Sequence, residues 1–340
     1  IVSLANRAGL SVAVQHGDVK GADRWKFQGG EEPDILLTTP ESLEVLLGDK
    51  DAKQAFSRLR FVIIDEIHAF IETSRGVHLR CLLDRLSFAS AEHIIRIGLS
   101  ATVGNPEELL SWMSAPERQK QLVRVPSPPA KKAFTFCVNP DFFSRIDAAA
   151  DAVRGRKSLI FVESRSLAER LVEPLRERLS SVHIHHSAVS PEDRREAEAA
   201  FASGGEACVI CTSTLELGID IGNLDLVVQF GPPLSVASFL QRLGRTGRRG
   251  KPAQMAFILQ NPCELLAAVS AVECAMQHKS EDLHPASFAA DVLIQQLFLL
   301  LKRTAGLGMP QIRASLKALS AFSDIPDETV LQILSFLEEQ

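Results

Sequence analysis

The sequence contains no apolar run long enough to cross a membrane, although 46% of its 340 residues are hydrophobic. A membrane-spanning helix needs roughly 18 or more consecutive apolar residues. No charged-then-apolar leader follows Ile1, so we predict no secretion signal. The hydrophobic residues are numerous enough to form the cores of two domains and part of a third.

The sequence also lacks the cysteine spacing of a disulfide framework, because its six cysteines are scattered. This usage fits a reducing compartment, and we predict a cytoplasmic location. Cys208 and Cys211 form a C-x-x-C within the β-type run "ACVICTS". Residues three apart on a strand point to opposite faces, so we expect these side chains in the core rather than on a shared metal.

An excess of positive charge is missing as well, since the formal net charge is −5 at pH 7. Bulk electrostatics therefore do not indicate a nucleic-acid-binding protein. Any nucleic-acid binding has to rely on cations that are placed locally.

What the sequence does contain is a regular alternation of short apolar runs with segments of helix length. The runs predicted as strands are "SVAVQHG", "DILLTTP", "FVIIDE", "RIGLSAT", "SLIFVES", "VHIHHS", "ACVICTS", "LDLVVQFG" and "QMAFIL". This alternation predicts an α/β fold, and nearly continuous apolar strands are typical of buried parallel sheets. The proline-containing stretch "VRVPSPPAKKAFTFCVNP" predicts an interdomain linker, with the break near residues 125–133.

After about Pro285 the sequence changes to three successive helical segments, with Pro310 and Pro326 at predicted helix starts. One apolar face of the last segment consists of Val330, Ile333, Leu334 and Leu337. A winged helix or helix-turn-helix and an ordinary helical subdomain fit this pattern almost equally well. We therefore predict three domains, at residues 1–125, 126–284 and 285–340.

Two adjacent carboxylates, Asp65 and Glu66, directly follow the apolar run "FVII". In open α/β sheets, ligands bind beyond the carboxyl ends of the strands. Mg²⁺ would neutralise carboxylates there and would keep waters and substrate phosphates as its other ligands. One carboxylate would serve the metal while the other polarises a water, a division that suits hydrolysis of a nucleotide γ-phosphate. The alternative is that one of them caps the next helix.

Two further motifs supply groups for the same chemistry. Ser100 and Thr102 end another strand in "GLSAT". The stretch "QRLGRTGRRG" places five long polar side chains among glycines, namely Gln241, Arg242, Arg245, Arg248 and Arg249. Guanidinium groups bind phosphate oxygens through two parallel hydrogen bonds. An arginine that contacts a γ-phosphate can raise the rate of its hydrolysis by about 10³- to 10⁵-fold. A solvated loop is the alternative, which the regular R-x-x-R-x-x-R spacing disfavours.

The order and spacing of "DEIH", "SAT", "TSTLELGID" and "QRLGRTGRR" resemble those of superfamily 2 helicases. More narrowly, "TTPESLEVLL", "DEIHAFIETSRGVHLRCLLDRL", "IGLSATVGNPEEL", "HHSAVSPEDRREAEAAF" and "LELGIDIG" resemble the large-helicase-related (Lhr) family. The resemblance covers the chain from about Gly9 to Pro252 and extends more loosely to Gln340. It implies two RecA-like parallel-sheet domains followed by a partial winged-helix-like helical domain. It also implies ATP and Mg²⁺ as cofactors, and movement along single-stranded DNA with 3′-to-5′ polarity, with DNA repair as a family-level expectation.

The resemblance extends to individual residues of the nucleotide site. The residues implied to be catalytic are Glu66, which would activate the attacking water, Asp65, which would hold Mg²⁺, and the arginine fingers Arg245 and Arg248. Gly218 and Asp220 would lie near the nucleotide. The residues that would couple hydrolysis to strand movement are His68, Ser100, Thr102 and Gln241.

A second group of residues is implied to meet the nucleic-acid backbone. Thr212 resembles a residue that touches this backbone, and a helix that begins at "TTPES" would direct N–H donors at a phosphate. The residues of this stretch are Thr39, Pro40, Glu41 and Ser42.

One motif of the family is missing from these 340 residues, which contain no G-x-x-x-x-G-K-[S/T]. The lysine of that loop contacts the β- and γ-phosphates. Because the loop is missing and the first residue is Ile1 rather than Met, we expect the chain to begin downstream of the loop and to hydrolyse ATP poorly or not at all by itself.

Two alternatives remain open. A helicase fold that acts as a non-hydrolytic nucleic-acid clamp would be expected to have lost its catalytic positions, yet Glu66, Arg245 and Arg248 are present. An RNA helicase of the same superfamily is equally compatible with the sequence, because contacts to the phosphate backbone do not show whether the sugar is deoxyribose or ribose.

Overall fold

The computed structural model describes residues 2–17, 32–114, 119–124, 131–202, 205–216, 224–247, 252–303 and 306–338. The chain forms two compact units. The first consists of Ile1–Ser100, Pro106–Leu122 and Leu283–Gln340, and the second of Ala101–Asn105 and Val123–Asp282. The division into three domains at residues 125/126 and 284/285 stays a prediction.

The elements of the described residues are numbered here along the chain. The strands are β1 (Val12–Gln15), β2 (Ile35–Thr38), β3 (Phe61–Ile64), β4 (Ile95–Gly98), β5 (Lys132–Val138), β6 (Lys157–Phe161), β7 (Val182–His185), β8 (Ala207–Cys211), β9 (Leu226–Phe230) and β10 (Ala253–Leu259). The helices are α1 (Val2–Arg7), α2 (Pro40–Leu47), α3 (Ala52–Ala55), α4 (Ser74–Ala89), α5 (Pro106–Met113), α6 (Phe142–Val153), α7 (Arg165–Arg176), α8 (Pro191–Ala202), α9 (Val236–Leu243), α10 (Pro262–Met276), α11 (Ala290–Arg303), α12 (Met309–Lys317) and α13 (Asp327–Glu338). All nine runs predicted as strands are strands.

The first unit contains two pairs of parallel strands within its described residues, β1 with β2 and β3 with β4. Ile64, the last residue of β3, lies opposite Gly98, the last residue of β4. The segments that leave these two strands are therefore neighbours at one edge of the pair.

The β3–β4 pair is buried on one face only. Ile64 is 6% exposed, whereas Phe61, Ile63, Ile95 and Ile97 on the other face are exposed. Within the described residues, only the face of this pair that contains Ile64 is covered.

Helix α4 lies between two cores of the first unit. Leu82 and Leu86 pack into a cluster with residues of α2 and α3. Val77 and Cys81 pack into another with α11, α12 and α13. Thr73 caps the helix by accepting the Gly76 N–H through its side chain. Because both cores share this helix, the C-terminal helices form part of the first unit.

The three helices predicted after Pro285 are present, and no strand occurs between residues 283 and 338 apart from the undescribed positions 304 and 305. Pro310 stands in the first turn of α12, and Pro326 immediately precedes α13. Val330 is buried, and Ile333 and Leu334 pack against the same cluster. The predicted apolar face of the last helix is thus confirmed for Val330, Ile333 and Leu334.

The second unit is built on one parallel sheet, which in the described residues has the strand order β5–β10–β9–β6–β8–β7. Every residue of β8 and β9 is buried, as predicted for a sheet covered on both faces. Helices α6 and α7 contribute to the core on one face, and α8, α9 and α10 to the core on the other. Cys208 belongs to the first core and Cys211 to the second, so the two thiols lie on opposite faces, as predicted.

The stretch predicted as a linker is partly a strand, because Lys132–Val138 forms β5 at the edge of the six-stranded sheet. Phe136 of β5 stacks on Phe257 of β10 with ring centroids 5.0 Å apart. Every residue of this edge strand is exposed or only partly buried, and Lys132 and Thr135 interrupt its apolar residues, so "KAFTFCV" lacks the continuous apolar run of the central strands. Residues 125–130 lie outside the described part of the chain.

No helix in the described part of the chain is both long and apolar enough to span a membrane.

A buried polar network joins α2, α4 and α11. Glu44 is 6% exposed, with one carboxylate oxygen 2.8 Å from His78 Nε2. Arg85 and Gln296 donate hydrogen bonds to the same carboxylate. Burial alone would raise the pKa of Glu44, but the hydrogen bond from His78 and the charge and hydrogen bond of Arg85, with Gln296, lower it to about 2. The charged Glu44 carboxylate of α2 is therefore hydrogen-bonded to side chains of α4 and α11.

The pKa of Glu44 predicts a pH-dependent contribution to stability. Because the folded-state pKa is below that of the unfolded chain, the contribution is present above about pH 4.5 and is lost as the pH falls towards about 2. Glu44→Gln is expected to lower the free energy of unfolding at pH 7 by up to about 3 kcal/mol, less where solvent screens the charges. Urea unfolding of wild type and variant between pH 7 and pH 2.5 measures this difference.

A matched control is Glu173→Gln, which removes a carboxylate that is 76% exposed and paired with Arg176. We expect that substitution to lower the free energy of unfolding by less than about 0.5 kcal/mol. A wild-type advantage over Glu44→Gln that stays constant down to pH 2.5 would contradict the assignment of the network.

Candidate functional site

The two adjacent carboxylates lie where the sequence places them, directly after β3 at its carboxyl end. Asp65 is exposed, and its Oδ1 accepts the backbone N–H of Glu66 at 3.0 Å. Glu66 is half-buried and adopts the left-handed conformation, with φ 49° and ψ 43°. This conformation is uncommon for residues other than glycine and is found where the surroundings hold it in place.

Backbone hydrogen bonds hold the segments after β3 and β4 side by side. The Leu99 N–H donates to the Ile64 carbonyl at 2.8 Å, and the Ile67 N–H donates to the Leu99 carbonyl at 2.9 Å. The left-handed turn at Glu66 lies between these two bonds. The chain after Asp65 is therefore fixed against the chain that leads to Ser100.

This arrangement brings three of the predicted site residues together. His68 Nδ1 lies 3.6 Å from Glu66 Oε2 and 3.3 Å from Ser100 Oγ. Burial lowers the pKa of His68, while the charges of Glu66 and Asp65 act in the opposite direction. The net effect keeps the imidazole neutral at pH 7. Thr102 lies two residues beyond Ser100 and is exposed.

The carboxylates fit a hydrated magnesium ion better than a metal cage built only from protein ligands. Within the described residues there is no cluster of three or more metal-binding side chains. Magnesium is commonly held by one or two carboxylates, with waters and substrate phosphates completing its octahedron. Asp65, an exposed oxygen donor at a strand end, meets that requirement.

The stretch "TTPES" forms the start of α2, as expected. Thr39 is the N-cap, and its side chain accepts the Ser42 N–H at 3.4 Å, while Pro40 occupies the first turn. Glu41 forms a two-pronged pair with Arg75 of α4, at 2.6 and 3.1 Å. The hydrogen bond from Arg75 lowers the pKa of Glu41 to about 2. The sequence did not single out Arg75, which brings a guanidinium beside the start of this helix.

In the second unit, Thr212 follows the carboxyl end of β8, and Gln241 and Arg245 lie at the end of α9 and just beyond it. The Arg245 guanidinium donates to the backbone carbonyl of Glu216. Gly247 has φ +73°, and a Cβ added there would lie 2.8 Å from Ala253. The turn after Arg245 therefore requires glycine. Gly218, Asp220 and Arg248 lie outside the described residues.

Arg242 differs from the phosphate clamp suggested by the arginine spacing, because it is 2% exposed. Its guanidinium donates to the carboxylate of Glu216 and to the side-chain oxygen of Gln229. It also lies over the Phe161 ring, 4.9 Å from the centroid. A side chain held in this way cannot reach a ligand, so Arg242 is a structural member of the motif. Sequence spacing missed this role, together with those of Glu216 and Gln229.

The buried position of Arg242 predicts that lysine cannot replace it. A lysine lacks the planar fork that serves two acceptors, and removal of one partner of a buried pair typically costs about 3–5 kcal/mol. Arg242→Lys is therefore expected to lower the free energy of unfolding of the second unit by about 2–4 kcal/mol. Chemical denaturation followed by hydrogen exchange on β6 and β9 measures this loss.

Arg154→Lys is the control, since that guanidinium is 60% exposed and pairs with Asp151, an aspartate that is itself 76% exposed. This substitution should leave the free energy of unfolding nearly unchanged. Equal stability of the two lysine variants would refute the structural role of Arg242.

Comparisons with known proteins identify the family of the chain. Residues 1–109 match the DEAD/DEAH box helicase family model, and residues 142–250 match the helicase conserved C-terminal domain. The chain is 32% identical to the Lhr helicase/uracil glycosylase of Escherichia coli (strain K12), over 84% of this chain and 22% of that protein. It is also 32% identical to the ATP-dependent helicase Lhr-Core protein 2 of Thermococcus barophilus, over 85% of this chain and 36% of that protein.

A solved structure gives the same result. The Mycobacterium smegmatis helicase Lhr, bound to ssDNA and AMP-PNP, superposes with a TM-score of 0.77 at 32% identity, over 96% of this chain and 45% of that chain. This likeness confirms the prediction of RecA-like parallel-sheet domains. The chain spans between 22% and 36% of the length of the two curated relatives. With helicase domains matched in both halves and Lhr relatives along most of its length, the chain belongs to the Lhr family of DEAD/DEAH-box helicases.

Proposed function

We propose that the protein that contains this chain is an ATP-dependent helicase or translocase that moves along single-stranded DNA. The observation that carries the proposal is the convergence of Glu66, His68 and Ser100 at the carboxyl edge of β3 and β4. It brings a half-buried carboxylate close to a neutral imidazole and to a hydroxyl two residues beyond the end of β4. Such an arrangement can take a proton from water and transmit a change at the nucleotide to the adjoining loop.

The proposed mechanism assigns the proton transfer to Glu66. Its carboxylate would accept the proton of the water that attacks the γ-phosphate of ATP, a role that requires a charged, oriented base. Asp65 would hold Mg²⁺, which supplies positive charge to the phosphate oxygens when bound. His68 is neutral at pH 7, so it leaves the negative charge on Glu66 and can exchange hydrogen bonds with Ser100.

Residues of the second unit would complete the hydrolytic machinery. Arg245 is the described candidate for neutralising charge that develops on the phosphates, and Arg248 is proposed for the same role. Arg245 begins the turn directly after α9, whose end is anchored by Arg242. Gly218 and Asp220 remain proposed neighbours of the nucleotide, and Gln241 a proposed coupling residue.

We propose single-stranded DNA as the track because the similar Mycobacterium smegmatis helicase Lhr was solved with ssDNA. Thr212 and the start of α2 would contact its phosphates. The 3′-to-5′ polarity and a role in DNA repair belong to this proposal and rest on the family resemblance. A cytoplasmic location rests on the scattered cysteines, which are free in this structure.

The chemical role of Glu66 leads to a test on the full-length protein. Glu66→Gln keeps the shape of the side chain but removes the base, and a general base contributes about 10²–10⁴ in rate. We expect ATP turnover with ssDNA to fall by at least about 100-fold, while a fluorescent ATP analogue still binds within about threefold of wild type. Steady-state phosphate release and equilibrium fluorescence measure these two quantities.

Glu92→Gln, a substitution of the same type at an exposed position of the first unit, is the control and should keep wild-type turnover. Turnover by Glu66→Gln at the wild-type rate would exclude Glu66 as the base. Absence of ATP turnover in the wild-type protein would instead favour a non-hydrolytic clamp.

Nucleic-acid binding leads to a second test. Thr212→Val removes a neutral hydroxyl, so affinity for ssDNA should fall about 3- to 10-fold, whereas the dependence of log K on log salt should keep its slope. Thr135→Val, at an exposed position of β5, is the matched control. Fluorescence anisotropy at several salt concentrations, with two unrelated DNA sequences, measures both quantities.

The same assay distinguishes the type of nucleic acid. DNA and RNA oligonucleotides of one sequence are compared for binding and for stimulation of ATP turnover. Stronger stimulation by RNA would overturn the choice of DNA and would identify an RNA helicase. Unchanged DNA affinity in Thr212→Val would remove Thr212 from the proposed contact surface.

A further inference from the structure

A segment that follows α10 contacts two parts of the second unit that carry helicase motifs. The Glu281 carboxylate accepts the backbone N–H groups of Val236 and Ala237, at 2.6 and 3.2 Å. These are the first two residues of α9, the helix that leads to Gln241 and Arg245. The start of α9 is therefore held by a residue that is 44 or 45 positions away in the sequence.

The backbone of the same residue holds the loop that follows the "SAT" motif. The Gly104 N–H donates to the Glu281 carbonyl at 2.9 Å. A Cβ added to Gly104 would lie 2.7 Å from the Ser280 carbonyl oxygen and 2.9 Å from that of Glu281. The approach of this loop to residues 280–282 is thus so close that it requires glycine.

The charge of Glu281 suits its position at a helix N-terminus. Partial burial would raise the pKa of this carboxyl, but the N–H groups of Val236 and Ala237 lower it below its usual value. The carboxylate is therefore charged at neutral pH and faces the positive end of the α9 dipole. Ser235 caps the same helix independently, because its Oγ accepts the Ser238 N–H at 3.0 Å.

Helix α9 is consequently fixed at both ends. Glu281 and Ser235 hold its first turn, and the buried Arg242 holds its last turn through Glu216. The helix has only eight residues, so a displacement of its first turn is carried to its end, where Gln241 lies and Arg245 follows. Positioning errors of about 1 Å in a catalytic group can cost about 100-fold in rate.

We propose that Glu281 is a positioning residue that joins loop 101–105 to the start of α9 and thereby transmits changes after Ser100 to the arginines beyond that helix. This inference rests on the proposed ATP-dependent function. Glu281 touches neither substrate nor cofactor in this scheme, and it acts through α9. The sequence "HKSEDLHP" around it contains no motif that would have pointed to this role.

The test compares three single substitutions in the full-length protein. Glu281→Ala removes the carboxylate, Gly104→Ala pushes the loop away from residues 280–282, and Ser235→Ala removes only the second cap of α9. Since Glu281 is exposed, its replacement should leave the protein folded. Loss of a helix cap lowers helix stability, so Ser235→Ala controls for a simple loss of helix stability.

The expected result separates positioning from stability. Glu281→Ala and Gly104→Ala should each lower the ssDNA-stimulated kcat for ATP by about 5- to 50-fold, with KM for ATP changed less than about twofold. Ser235→Ala should lower kcat by less than about twofold. The double variant Gly104→Ala/Glu281→Ala should be no slower than the slower single variant, because both remove the same connection.

Hydrogen exchange gives a readout that does not need ATP turnover. Exchange of the amides in loop 101–105 should rise about fivefold or more in Glu281→Ala and stay unchanged in Ser235→Ala. If Glu281→Ala leaves this loop unchanged, or lowers kcat no more than Ser235→Ala does, the inference is overturned. If the wild-type protein shows no nucleic-acid-stimulated turnover, the proposed function fails, and the exchange result alone decides whether Glu281 connects the two elements.

Discussion

The second unit depends on a guanidinium that is hydrogen-bonded inside an apolar core. Arg242 joins α9 to Glu216 after β8, to Gln229 on β9 and to Phe161 at the end of β6. A charge so deeply buried is tolerated only with complete pairing, because an isolated one would cost far more than folding supplies. The pairing therefore sets the position of α9 on the sheet. Arg245 follows three residues after this anchor.

The first unit has a different organisation, with one helix shared by two cores. Helix α4 packs against α2 and α3 on one side and against the C-terminal helices on another, and Glu44 ties α2, α4 and α11 together. The start of α2, which is proposed to meet nucleic acid, is thus connected through packed side chains to the last described part of the chain. Arg75 adds a second link, from α4 to Glu41. The C-terminal helices accordingly contribute to the rigidity of this proposed contact surface.

The sequence was sufficient to place the strands and the carboxylates that follow β3, because continuous apolar runs and strand ends are local signals. It failed for β5, whose apolar residues are interrupted by Thr135 and follow prolines and paired lysines. It also failed to separate Arg242 from Arg245, because regular spacing does not show which side chain turns inward. The partners Glu216, Gln229 and Glu281 are distant in sequence from the groups that they hold, and a single sequence contains no record of such pairings. The proximity of Glu66, His68 and Ser100 likewise depends on the pairing of β3 with β4.

The left-handed backbone at Glu66 has a consequence for how natural variation at this position should be interpreted. Glycine is the residue that this backbone favours, and a β-branched residue is the type that it tolerates least. A change to glycine would relieve backbone strain while it removes the carboxylate, so the altered protein would gain stability as it loses the proposed catalytic base. A change to valine would increase the backbone strain and also remove the carboxylate, so the protein would lose stability and the proposed base together. Abundance in cells and activity would therefore vary independently at this one codon, and a screen that reports only protein level would rank the glycine replacement as harmless although it removes the proposed base.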